Sequence, residues 1–283
     1  MAYQTMSLTV ENHIAHIQLS RPERFNTMVM AFWQEMVDVF AEIEKTPEAR
    51  VVVISSTGKH YTAGLDLSAF AGIAQEMNSD IDGARVREQF KNTVLEMQES
   101  FNVLEKCRLP VLVATQGGCI GGGVDMISAC DMRYCTEDAF FCIQEINIGM
   151  TADVGTLQRL PHLIPSGIVR ELAYTGRRMF ADEAKEYGLV NQVFDSPEAM
   201  LAKVMEIAAE IASKSPLAIY GTKEMINYTR DHSVNDALKY MAVWQSGMFL
   251  SHDLIEAAGA NQAKRKPDFD NLLPPKKMVR RSP

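Results

Sequence analysis

The segment Phe140 to Gly155, FFCIQEINIGMTADVG, sets two carboxylic acids, Glu145 and Asp153, eight positions apart among residues that are nearly all apolar or small. An ionised carboxylate is costly in such surroundings unless it is paired or gives up its charge. Upstream, GGCIGGGVDMISAC carries a third acid, Asp125, in the first turn of a short predicted helix. Separated carboxyl groups in an apolar setting suit proton transfer, one as base and another as acid at different atoms of one substrate. Each acid also has a plainer reading. Asp125 would satisfy orphan N–H groups of its own helix, Asp153 would be the N-cap of a helix beginning near Val154, and Glu145 would be an ordinary loop acid.

The glycines beside Asp125 do not form a nucleotide motif. No register of GGCIGGG gives Gly-x-Gly-x-x-Gly, no Gly-Lys-Ser/Thr is present, and Asp125 would repel a pyrophosphate at that helix start. Such a turn instead offers bare backbone N–H groups at close range. A second small-residue turn, TAGLDL, runs through Ala63, Gly64, Leu65, Asp66 and Leu67 and also follows an apolar strand. Strand ends of one parallel sheet open onto the same edge, so two N–H groups converging from these turns would make an oxyanion hole. Asp66 is expected to brace its turn, and Asp131 and Arg133 to form a buried structural pair.

Around these residues the patterning is that of an α/β protein. SLTVENHIAHIQL alternates in polarity about Glu11-Asn12, which predicts an opening hairpin with His13 and His16 in a strand. Phe32, Met36, Val39, Phe40 and Ile43 share one helical face over 28–45, closed by Pro47. VVVIS at 51–55, VLVATQ at 111–116 and MRYC at 132–135 read as buried strands. Between them lie a long helix carrying Val94, Met97, Phe101 and Leu104 that stops near Pro110, and a two-turn helix at VDMISAC. Strand and helix in alternation imply right-handed βαβ crossovers. From about Ser196 helices follow with little strand between them, up to a loosely ordered or extended last stretch, KRKPDFDNLLPPKKMVRRSP. The expected division is an α/β core over 1–195 and a helical region over 196–283, covering either the core's own surface or a neighbour's.

With 283 residues and 47% hydrophobic content the chain can bury a sizeable core, and a net charge of -8 without a basic stripe argues against nucleic acid and anionic membranes. Five cysteines with no Cys-x-x-Cys pair suit a reducing compartment, and six histidines without a His-x-x-x-His pattern give no expectation of a metal. The opening MAYQTMSLTVENH lacks a signal or import pattern, and the closing RRSP is no peroxisomal address, so the expected location is the cytoplasm.

HYTAGLDL, GGCIGGGVDMISACDMRYC, the acid-bearing loop with VGTLQRLPHLI, and ELAYTGRRMFADEAKEYGLVNQVF together resemble the enoyl-CoA hydratase/isomerase (crotonase) superfamily over essentially the whole chain. The resemblance implies the α/β crotonase (ClpP/crotonase-like) spiral of ββα units with a C-terminal helical trimerisation region. Within the superfamily, Asp125, Glu145 and Asp153 with their flanks are similar to the dienoyl-CoA isomerases of fatty-acid β-oxidation. The resemblance then implies that the N–H groups of Leu65 and Gly122 hold a thioester oxygen, with Ala63, Gly64, Asp66, Leu67 and Gly123 as further substrate contacts. Asp153 would take a proton from C2, Glu145 would return one at C6, and Asp125 would complete the catalytic trio. No cofactor is implied beyond the CoA carried by the acyl thioester substrate. A homotrimer or homohexamer is the implied assembly, with the Lys264-Arg265-Lys266 run as a candidate contact for CoA phosphate.

Other members of the fold frame the alternatives. A hydratase usually has a small glycine where Asp153 stands, a monoenoyl-CoA isomerase shares the fold, and an aryl-CoA dehalogenase would leave Glu145 without a part. A non-catalytic RNA-binding or scaffold protein is the alternative of a different class, opposed by the acidic composition.

Overall fold

The computed structural model describes residues 3–66, 68 and 81–276; Leu67, expected at the site, lies outside them. In chain order the strands are β1 (Met6–Glu11), β2 (Ile14–Leu19), β3 (Val51–Ser56), β4 (Val111–Thr115), β5 (Gly118–Ile120), β6 (Met132–Thr136), β7 (Phe140–Cys142), β8 (Arg178–Phe180) and β9 (Gln192–Phe194). The helices are α1 (Met30–Ile43), α2 (Gly83–Lys106), α3 (Gly122–Ser128), α4 (Thr156–Arg159), α5 (Ser166–Thr175), α6 (Ala181–Glu186), α7 (Pro197–Ala212), α8 (Pro216–Asp231), α9 (Val234–Met248) and α10 (His252–Gln262).

The expected hairpin forms, but its turn is Asn12-His13, both with positive φ (50° and 67°), so His13 leaves the strand to which the alternating pattern assigns it. Two consecutive positive-φ residues give the twist that joins tightly paired antiparallel strands. From β2 onward the main sheet is parallel, in the order β1-β2-β3-β4-β6-β9. Along β3 the side chains alternate between two cores. Val52 and Ile54 face α1 and α2, where Phe32, Met36, Phe40, Phe101 and Leu104 are buried. Val51 and Val53 face α7 through Met200, Val204 and Ala208, together with Leu112 and Tyr134. Both faces of the strands are thus covered, which explains their unbroken apolar runs. The first helix after residue 196 therefore closes the core's own sheet.

A second, three-stranded sheet, β5-β7-β8, is not among the elements that the patterning predicts. β5 lies inside GGCIGGG, where composition points only to a turn. It pairs in parallel with β7 in the register Ile120 to Cys142, and the Gly121 N–H continues the ladder to the Cys142 carbonyl at 2.9 Å. The chain leaving β5 as the glycine turn and the chain leaving β7 toward Glu145 consequently emerge side by side.

Asp131 and Arg133 do not pair with each other. Asp131 accepts the Val111 N–H at 2.7 Å and forms an ion pair with Lys223 of α8 at 2.9 Å. Arg133 donates to the carbonyls of Leu189, Cys130 and Ile127. Backbone oxygens at the end of the short helix and in the neighbouring turns satisfy the guanidinium without a carboxylate. Lys223 is 7% exposed and also donates to the Leu104 and Leu109 carbonyls, fastening the helical region to α2 and to the start of β4. Replacing it by methionine keeps the packing but strands those acceptors and Asp131; Lys223→Met is expected to lower unfolding free energy by about 3 kcal/mol, measured by urea denaturation against wild type.

Candidate active site

The two small-residue turns meet. Gly64 has φ of +83°, and a Cβ there would lie 2.7 Å from the Ile120 carbonyl oxygen and 3.6 Å from the Gly122 amide nitrogen. Only a residue without a side chain allows this approach in that conformation. Leu65 forms an isolated parallel bridge to Met28, in which the Met28 N–H donates to Gly64 O at 2.8 Å and the Asp66 N–H to Met28 O at 3.0 Å. In such a bridge the N–H of Leu65 itself points away from Met28. Gly122 is the first residue of α3, where an N–H has no acceptor within its helix. Both residues border one cavity of about 720 Å³. Two preorganised donors at one cavity suit an oxygen that gains charge during a reaction.

The cavity wall contains Trp33, Met97, Ile120, Ile148, Met150 and Val154, together with Glu145 and Asp153, and charged residues Glu23, Arg24 and Arg178 also border it. Glu145 belongs to a 3-10 turn, Gln144–Ile148, that ends at Gly149 with φ of +78°. Its Oε1 lies 3.0 Å from where a Cβ would stand on Gly121, while Oε2 is buried without a partner among the described residues. Asp153, further along the same loop, is half-buried. Its backbone carbonyl accepts a hydrogen bond from Gln98 Nε2 of α2 at 2.7 Å. It is not an N-cap: α4 begins at Thr156, and Gly155 holds the capping position.

Asp125 is fully buried and does not border the cavity. Nor does it serve its own helix. Its Oδ1 accepts the Thr156 N–H at 2.6 Å, so it satisfies the first turn of α4, and its Oδ2 has no partner among the described residues. Gly123, expected among the substrate contacts, is also away from the cavity; a Cβ there would stand 2.5 Å from Thr62 Cγ2, so the glycine serves close packing of α3. Ala63, Gly64 and Asp66 do border the cavity. Asp66 braces its turn as expected: Ser68 N–H and Oγ donate to Oδ1 and Thr27 Oγ1 to Oδ2, and these bonds hold its carboxyl below the usual range. Arg265 of the tail cation run is ion-paired with Glu256.

Burial separates the three acids from ordinary carboxylates. Desolvation, opposed by the Thr156 hydrogen bond, pushes Asp125 up to about 6. Desolvation and the neighbouring charge of Asp125 push Glu145 up to about 7. Asp153 is raised as well, again by desolvation. Glu145, raised to about 7, is therefore the carboxyl able to hold a proton near neutral pH, as a general acid must.

Trp33, Met97, Arg24 and Arg178 border the cavity, and Gln98 and Thr156 support its loop, although none is singled out by the sequence as a site residue. For Met97 the apolar face of its helix is a usable signal; nothing local marks Arg24 or Arg178.

The enoyl-CoA hydratase/isomerase family profile matches residues 9–272. The chain is 46% identical over 265 residues to the mitochondrial Delta(3,5)-Delta(2,4)-dienoyl-CoA isomerase of Mus musculus, covering 93% of this chain and 81% of that protein. It is 40% identical to the peroxisomal protein of the same name from Arabidopsis thaliana, over 96% of this chain and 99% of the other. Among solved structures, an enoyl-CoA hydratase from Bacillus anthracis superposes with a TM-score of 0.85 at 31% identity, covering 94% of this chain and 99% of that one. By profile, sequence and fold, the chain belongs to the enoyl-CoA hydratase/isomerase family.

Proposed function

We propose that the protein is a dienoyl-CoA isomerase that converts 3,5-dienoyl-CoA into 2,4-dienoyl-CoA. The observation that carries this reading is a pair of acids, Glu145 and Asp153, on the wall of one apolar cavity that also receives the Leu65 and Gly122 turns. The names of the mouse and Arabidopsis relatives support it.

The thioester oxygen sits between the N–H groups of Leu65 and Gly122, which stabilise the enolate as it forms; losing one such donor typically costs roughly 3–4 kcal/mol. Asp153, ionised, takes the C2 proton. The electron pair moves along the conjugated carbons, the double bonds shift to C2 and C4, and Glu145 delivers a proton to C6. One C–H bond is broken and one formed, so no cofactor is required. Asp125 adds its charge to the desolvation that raises Glu145, and anchors α4 through Thr156.

The proposal extends to a homotrimer or homohexamer in the cytoplasm, whereas the mouse and Arabidopsis relatives are named as mitochondrial and peroxisomal. Exposed apolar side chains on the tail helices, among them Val234, Leu238, Val243 and Ile255, support assembly, and five unpaired cysteines support a reducing compartment. Among the described residues no helix is long and apolar enough to cross a membrane.

Synthetic 3,5-octadienoyl-CoA should gain the ultraviolet absorption of a conjugated 2,4-dienoyl thioester. Asp153→Asn and Glu145→Gln are each expected to lower kcat by on the order of 10²–10⁴. Fast hydration of 2-enoyl-CoA without diene isomerisation would reject the reading in favour of a hydratase. The base must be ionised and the acid protonated, so kcat/KM should fall at low pH, as Asp153 protonates at its raised pKa, and again as pH rises through about 7, where Glu145 ionises. A profile flat across the acidic and alkaline limbs would contradict these roles. Sedimentation at micromolar concentration is expected to give a trimer or hexamer mass; a monomer would reject the assembly.

A further inference from the structure

Behind the acid-bearing loop lies a second, polar cavity of about 430 Å³, and the most buried charged group bordering it is Arg159 of α4, 9% exposed. A guanidinium in that position is costly unless its donors are occupied. Nε donates to Glu105 Oε2 at 2.8 Å and Nη2 to Asn102 Oδ1 at 2.6 Å, both on α2. Nη1 reaches the Val154 carbonyl at 3.4 Å. Glu105 is in turn held by Arg230 of α8.

The loop packs directly against this side chain. Gly155 has φ of +136°, and a Cβ there would overlap Arg159 Nη1. Successive backbone groups of the loop are held from outside: the Asp153 carbonyl by Gln98, the Val154 carbonyl by Arg159 and the Thr156 N–H by Asp125. These peptide planes determine where the Asp153 side chain leaves the chain.

We propose that Arg159 is a positioning residue for the isomerisation: seated on Gly155 and tied to α2 through Glu105 and Asn102, it fixes the place of the Asp153 carboxylate at the cavity. The proposal rests on the isomerase reading.

The test compares full-length wild type, Arg159→Lys, Arg159→Met and Glu105→Gln by steady-state kinetics on 3,5-octadienoyl-CoA and by amide hydrogen exchange of residues 150–156. Misplacing a catalytic group by about 1 Å costs on the order of 10²-fold, so Arg159→Met should lose about that much kcat with KM changed less than about threefold. Arg159→Lys should recover part of it, and exchange in 150–156 should quicken in step with the loss. Unchanged kcat, or a loss expressed in KM alone, or unaltered loop exchange overturns the proposal. Should Arg159→Met fail to fold, Glu105→Gln, which removes the carboxylate partner but leaves the arginine, must show the same pattern more weakly; wild-type behaviour there also overturns it. If wild type does not isomerise the diene, the isomerase reading fails, while the exchange arm still decides whether Arg159 holds the loop.

Discussion

Desolvation of carboxyl groups is the constraint on which the site depends. In water, Asp125, Glu145 and Asp153 would all be ionised at neutral pH and equivalent in chemistry. Within the protein, burial raises all three, and repulsion between them separates them further. The differences follow from position: Asp125 accepts a backbone N–H on one oxygen, Glu145 borders the cavity and feels the charge of Asp125, and Asp153 is partly open to the cavity. A fold that left these groups in water would have no distinct acid and base.

Holding charges in such a place requires rigid support, and the two sheets supply it. The main sheet, covered on both faces, fixes the ends of β3 and β4. The small sheet sets the glycine turn and the Glu145 turn side by side, through the parallel pairing of β5 and β7. The cavity wall is then assembled from segments distant in sequence: the turn after β3, the start of α3, the loop after β7, and α2.

Much of this is legible in the chain. β3, β4 and β6 announce themselves as apolar runs because both of their faces are buried, and α1 does so by its periodic face. The three acids stand out by contrast with their neighbours. What stays hidden has physical reasons. β5, β7, β8 and β9 are too short for a period to register. The partners of Asp131 and Arg133 are set by tertiary contacts, with Lys223 arriving from far along the chain. The side-chain direction of Asp125, toward Thr156 and away from the cavity, depends on how α3 and α4 pack, and no local pattern encodes that.

The close approach of Gly64 to the Ile120 carbonyl has a consequence for how this scaffold can diversify. At Gly64 this contact cannot be retuned by swapping side chains, because an added carbon there would lie 2.7 Å from a main-chain oxygen. The meeting of these two turns is therefore hard to alter, whereas the opposite wall, made of ordinary side chains on a turn and a helix, is free to vary. New chemistries on this framework should arise by exchanging acids and apolar groups across from an unchanging pair of backbone turns.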